Sequence, residues 1–221
     1  MTDDTSLGEA LSALFAAERE ARRWHDDITS RADGDRKGVL DAIREAVARG
    51  LAEDDEEEAT SQLVPLARLL GELEGSDVAD SLVDVLRSEH PEARREAGEH
   101  LQGLALDHFA EVSDAVGRAL DRLAPDSPAL VELPFVLVDV PDPGVVPLLA
   151  RFLERDDPDV VAAAIESLAE VGDPAAIGPL RKLIDDPRIA SLADDDDDGS
   201  GVEVSVGDLA VDAVRLLGEG L

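Results

Sequence analysis

The sequence predicts an all-α protein, a superhelical solenoid of about five antiparallel helix pairs. Two observations support this fold class. Leu, Val and Ala recur at i, i+3, i+4 and i+7 in successive segments, the spacing that gives a helix one apolar face. Short motifs also return at a period of about 31 to 36 residues, and each period holds two such segments. A lone pair cannot bury its apolar face, so pairs of this kind stack into a solenoid.

The repeat is clearest in the second half of the chain. Residues 157–168 align with residues 126–137 at an offset of about 31 and with residues 90–101 at about 67. Residues 171–174, Val-Gly-Asp-Pro, likewise repeat the motif of residues 140–143, Val-Pro-Asp-Pro, at an offset of 31. Asp and Pro at these turns suit the start of a helix, because Asp caps free backbone N–H groups and Pro fits the first helical position.

The elements follow from this period. Residues 1–34 are expected to form an N-terminal capping helix and linker, with Leu7, Leu11, Leu14 and Phe15 on one face of a helix over about 5–25. Residues 35–221 form the solenoid, and Val202–Ser205 alternates as a short extended segment does. The predicted units cover about 35–73, 76–105, 109–139, 143–171 and 174–218.

The motif Asp-Pro-Asp-x-Val, an Ala-rich helix and then Leu-x-x-x-Gly-Asp-Pro resembles HEAT repeats, specifically the short class found in phycobilisome lyases. The resemblance covers about residues 35–221 and is strongest over 143–186. It implies a right-handed superhelix whose second helices line the concave face. Such repeats usually carry Arg after the Val, and here Arg94 follows that pattern while Leu130 and Val161 depart from it.

The charge excludes several classes of partner. Acidic residues number 52 and basic ones 20, a formal net charge of -32. Nucleic acids and anionic membranes both require a basic face, so neither is expected as a partner. The 31 aspartates, 21 glutamates and two lysines resemble the composition of proteins from salt-in halophiles such as haloarchaea. Molar salt shortens the Debye length to about 3 Å and relieves self-repulsion. An acidic protein of a GC-rich mesophile is the alternative.

The chain contains no cysteine, and its N-terminus has no basic segment followed by an apolar one. No apolar run approaches the length of about 18 residues that a membrane span needs. Disulfides and thiolate chemistry are therefore excluded, and the expected location is the cytoplasm.

Two acidic features are candidates for ion or partner binding. The run from Asp194 to Asp198 begins like a calcium loop of the EF-hand type, but Ser205 stands where that loop needs a bidentate Glu. A solvated insertion is the simpler interpretation. The links between first and second helices are also acidic, as at residues 53–58 and 156–159, and a solenoid brings them to one edge. Helix capping on a halophilic surface explains this ridge as well as partner steering does.

Enzymatic alternatives find little support. Glu89-His90 and Glu99-His100 are similar, in reverse order, to the His-Glu pairs of HEAT-repeat di-iron hydroxylases, but no second cluster follows. A bilin lyase is the other enzymatic alternative, and a HEAT-type nucleic-acid binder would need more than Arg68, Arg94 and Arg95 on its concave face. No catalytic residue, cofactor or metal ligand is therefore assigned.

An apolar patch in the middle of the concave face is the best candidate site. On a helical wheel, Val131, Phe135 and Val138 point away from the core face of their helix. The corresponding residues of the neighbouring units are Arg95, Glu99 and Gln102 on one side and Ala162, Glu166 and Ala169 on the other. Apolar residues within a polar surround favour a protein interface. The alternative is that Pro134 shifts the register of the helix and turns Phe135 into the core.

The sequence therefore predicts a non-catalytic scaffold or adaptor that is adapted to high salt. It would bind a protein partner, which the sequence does not identify, through its concave face, and no small-molecule substrate is expected.

Overall fold

A computed structural model gives the fold and describes residues 6–73, 75–192 and 202–219. The first eight helices are α1 (Leu7–Gly50), α2 (Glu56–Gly71), α3 (Ser76–Val85), α4 (Pro91–Asp107), α5 (Phe109–Arg122), α6 (Pro128–Val136), α7 (Val145–Phe152) and α8 (Pro158–Val171). Short helical turns follow, including α9 (Ile177–Leu180), and then β1 (Ile189–Leu192), β2 (Val202–Ser205) and α10 (Val206–Glu219).

The helices stack as the repeat predicts. The second helices of successive pairs pack on one another in the order α2, α4, α6, α8 and α10, and first helix α3 packs on α5. One continuous apolar core runs through the stack from Leu40 to Leu217. The prediction of an all-α solenoid is confirmed.

Capping side chains explain where several helices begin. The carboxylate of Asp55 accepts the N–H of Glu58 at 2.9 Å, and that of Asp157 accepts the N–H of Asp159 at 2.9 Å. Each satisfies a backbone donor that the first helical turn leaves free. At the other end of α8, Gly172 adopts a left-handed conformation with φ of 71°, which residues with a side chain rarely adopt.

Helix α1 is two helices joined at Asp35. Asp35 has φ of −142° and ψ of 65°, and its Oδ1 accepts the N–H of Gly38 at 3.0 Å. Asp35 therefore caps a new helix over residues 36–50, the first helix of the first pair. Residues 7–34, before this break, are called the N-terminal arm below.

The predicted capping helix is present, but its predicted apolar face is exposed. Every residue from 6 to 24 is exposed, including Leu7, Leu11, Leu14 and Phe15. The arm contacts the first pair near its base, where His25 Nε2 lies 2.7 Å from Glu72 Oε1 and Ala32 is buried. The face formed by Leu7, Leu11, Leu14 and Phe15 is therefore not packed into the core of the solenoid.

The last unit also departs from the expected pair. The helix predicted over 174–186 is divided into short turns, because Pro179 cannot donate a helical hydrogen bond and Gly178 favours other conformations. The extended segment at Val202–Ser205 is present as β2. It pairs antiparallel with β1, which the sequence did not reveal, and Ile189 lies opposite Ser205. The run Asp194–Asp198 lies outside the described residues.

Candidate interaction face

Two hydrogen bonds fix how α4 lies beside α6. Arg94 Nε donates to Glu132 Oε1 at 3.0 Å, and Gln102 Nε2 donates to Asp139 Oδ2 at 2.9 Å. These pairs are 38 and 37 residues apart in sequence. The last turn of α6, which contains Phe135, therefore lies level with Ala97 and Gly98 on α4.

Phe135 lies at the surface with 40% of its area exposed, whereas the adjacent Pro134 is buried. The proline thus takes the core position, and its neighbour, about 100° further around the helix, faces outward. Val131 packs partly against the core and Val138 is half-buried. The candidate patch is one exposed aromatic ring supported by two valines, smaller than the sequence suggests.

Four of the six flanking residues are polar, and the other two are Ala162 and Ala169. On α4, Arg95 Nη1 lies 2.6 Å from Glu99 Oε1, and both side chains are exposed. On α8, Glu166 is half-buried, and this burial raises the pKa of its carboxyl. Ala162 is fully buried instead of facing outward. The reason is that α8 is packed between α6 and α10, which leaves it little free surface.

Leu106 belongs to the same face and was missed. It lies one turn after Gln102 on α4 and is 51% exposed. The sequence ended this helix at residue 105, whereas α4 continues to Asp107. The spacing of residues 95, 99, 102 and 106, at steps of three and four, could have placed Leu106 on this face.

Arginines tie neighbouring units together, although few occupy the expected motif position. Arg68 on α2 donates from Nε and Nη2 to the two carboxylate oxygens of Glu96 on α4, at 2.9 and 3.2 Å. Glu96 is buried, and the guanidinium of Arg68 holds the pKa of its carboxyl below the usual value. Between first helices, Arg118 makes a similar two-bond contact with Asp80. These ion pairs hold adjacent helices in register.

Comparison with known proteins supports the repeat. The HEAT repeat family matches residues 119–194. This segment is similar to HEAT repeats. No curated protein matches the chain. One solved structure, an engineered protein from the Northeast Structural Genomics Consortium, is 21% identical over 90% of this chain and 89% of that chain, with a TM-score of 0.36. At that score the likeness adds nothing to the fold assignment.

The histidines of this HEAT-like chain do not form a shared site. His100 Nε2 lies 3.4 Å from Glu96 on its own helix, and His25 lies against Glu72. His90 and His108 stand at the two ends of α4. Within the described parts of the chain, no three His, Asp or Glu residues are grouped so that they could hold a metal ion.

Some carboxylates at the acidic edge of the HEAT-like stack accept hydrogen bonds from backbone N–H groups. Asp126, Asp157, Asp159 and Glu203 line one groove at this edge. Asp159 Oδ1 accepts the N–H of Ser191 at 2.7 Å, and Asp157 caps α8. Capping therefore accounts for part of this acidity. No helix in the described ranges is both long and apolar enough to cross a membrane.

Proposed function

We propose that this protein is a non-catalytic scaffold or adaptor that binds a protein partner across the face formed by α4 and α6. The observation that carries the proposal is the exposure of Phe135 in the middle of that face. HEAT repeats commonly serve as protein-interaction scaffolds. A large aromatic side chain left at the surface of a well-packed solenoid is the kind of anchor on which protein interfaces depend.

The surroundings of Phe135 suit an interface of this kind. Val131, Val138 and Leu106 extend the apolar surface, and Arg95 and Glu99 supply a polar rim. Such a rim excludes water from the anchor and selects for complementary charge, whereas the anchor supplies most of the affinity. Because the whole chain carries a net charge of -32, a partner with a basic rim would associate fastest.

The proposal includes a cytoplasmic location, and it includes adaptation to high salt, which the acidic composition supports. It includes no catalytic residue, cofactor or small-molecule substrate, and neither nucleic acid nor membrane as a partner. Stoichiometric iron or zinc in the purified protein would contradict it and favour a hydroxylase-like enzyme.

Substitution of Phe135 tests the proposal. The tagged protein and its Phe135→Asp variant are used to capture partners from the native cells at native salt. We expect the variant to lose a partner that the parent protein retains, while it stays folded and its melting temperature falls by only a few degrees. Ile184→Asp is the matched control, because Ile184 is 43% exposed and lies outside the second helices. Equal capture by all three proteins would refute the proposed face.

A further inference from the structure

The N-terminal arm presents an apolar stripe that no described part of the chain covers. Its members recur at alternating steps of three and four residues, and they are Leu7, Ala10, Leu14, Ala17, Ala21 and Trp24. That spacing places side chains along one seam of a helix. Leu7 is 77% exposed and Trp24 is 60% exposed. An exposed stripe of this size marks a surface that another molecule covers.

The same stretch is a neutral part of a very acidic molecule. Residues 7–24 contain three glutamates and three arginines, which cancel, whereas the whole chain carries -32. Two copies of the chain repel one another over most of their surfaces, so the arms are where they can approach at the least electrostatic cost. Anionic membranes and nucleic acids attract net positive charge, which the arm lacks.

We propose that two copies of this protein associate through their arms, which pair as antiparallel helices. We place the two-fold axis at the middle of residues 7–24, between residues 15 and 16. With this axis, residues 7–24 of one copy lie beside residues 7–24 of the other along their full length. Leu14 then meets the small side chain of Ala17, and the symmetry makes every contact twice. The facing pairs are Leu7 with Trp24, Ala10 with Ala21, and Leu14 with Ala17.

Charge also decides the direction of the pairing. In a parallel pair the two acidic solenoids would lie at the same end and repel one another. The antiparallel pair places them at opposite ends of a helical pair about 27 Å long, the length of 18 helical residues. A seam of this length is small for a protein interface, so the dimer dissociates on dilution.

Two neighbouring alanines provide a matched test. Ala17 lies in the seam, whereas Ala16 faces away from it, and both are exposed on the arm. Sedimentation velocity in multimolar KCl should show dimers of the parent protein and of Ala16→Asp at high concentration. Ala17→Asp should weaken association at least tenfold, with the same helix content by circular dichroism. A parent protein that stays monomeric, or equal association of the two variants, would overturn the proposal.

Trp24 reports the same event by fluorescence, because it is the only tryptophan of the chain. Its emission should shift to shorter wavelength as the protein is concentrated, and this shift should be absent in Ala17→Asp. An emission shift that appears only with anionic vesicles would identify a lipid surface as the occupant instead.

Introduced cysteines test the direction of pairing, since the chain has none of its own. Oxidation of a mixture of Ala10→Cys and Ala21→Cys should form a disulfide-linked heterodimer. Ala10→Cys alone should not cross-link, and efficient cross-linking of that variant with itself would show a parallel pair.

Discussion

Two phenylalanines show what single residues contribute and what the sequence leaves open. Phe135 and Phe152 both lie near the end of a short apolar helix, yet the first is 40% exposed and the second is fully buried. The helical wheel placed Phe135 outward, but it could not exclude a shift at Pro134, because the side on which a buried proline lies depends on neighbouring helices. Only packing settles this.

The two rings should differ strongly in their effect on stability. Phe152→Ala removes a fully buried ring and should lower the free energy of unfolding by about 3–5 kcal/mol. Phe135→Ala should lower it by only about 1–2 kcal/mol, because part of the ring is already exposed to water in the folded protein. Urea denaturation of both variants measures the difference, and similar losses would place Phe135 in the core.

The ion pair of Arg68 with Glu96 should make stability depend on pH. The pKa of Glu96 is lowered from 4.5, so the pair stabilises the fold above that pH. This contribution disappears as the pH falls through the lowered value. Arg68→Gln should therefore cost about 1–2 kcal/mol at neutral pH, because it leaves a buried carboxylate without its partner. Below the pKa of Glu96 the cost should vanish.

Thermal melts of this variant and its parent over a range of pH give the comparison. Arg215→Gln is the control, since Arg215 and Asp212 are paired at 2.8 Å but are both exposed. Exposed pairs contribute little to stability, so this variant should melt like the parent at every pH. A penalty for Arg68→Gln that persists in acid would contradict the ionic origin.

At the scale of elements, local signals predicted the solenoid well and failed where partners lie far away in the chain. Helix starts such as Asp157-Pro158 depend on a few adjacent residues, and the sequence predicted them correctly. Strand β1 was missed, because Ile189–Leu192 has no alternation of its own and is extended only through pairing with β2. Ala162 was misplaced for the same reason, since α10 begins more than forty residues later.

Helix α8 offers a direct test of capping. Asp157→Ala removes the carboxylate that accepts the N–H of Asp159 and should cost about 1 kcal/mol. Asp156→Ala removes the same charge from an exposed neighbour and should cost nothing. The difference between the melting temperatures of the two variants isolates the cap from the loss of charge, and equal melting temperatures would show that the cap contributes nothing.

At the scale of the whole molecule, the sequence indicated the fold class but not the direction of its first helix. The periodic apolar face of residues 7–24 is equally suited to the first pair and to another chain. The structure favours another chain, because Leu7, Leu14 and Trp24 remain exposed beyond the break at Asp35. Both proposed surfaces, around Phe135 and along the arm, are places where the acidity of the molecule is interrupted.

Net charge makes a prediction about the molecule as a whole. The chain has 52 acidic and 20 basic residues. Their negative charges lie closer together in the folded state than in the unfolded state, so electrostatic repulsion destabilises the fold. Salt screens this repulsion, and at about 1 M the Debye length of about 3 Å is shorter than most distances between surface charges. The melting temperature should therefore rise steeply between low and multimolar KCl. Thermal melts followed by circular dichroism at each KCl concentration measure this change. The Ala17→Asp variant should be used, so that dimer formation does not contribute to the melting temperature. A flat response would show that the acidic surface is not an adaptation to salt.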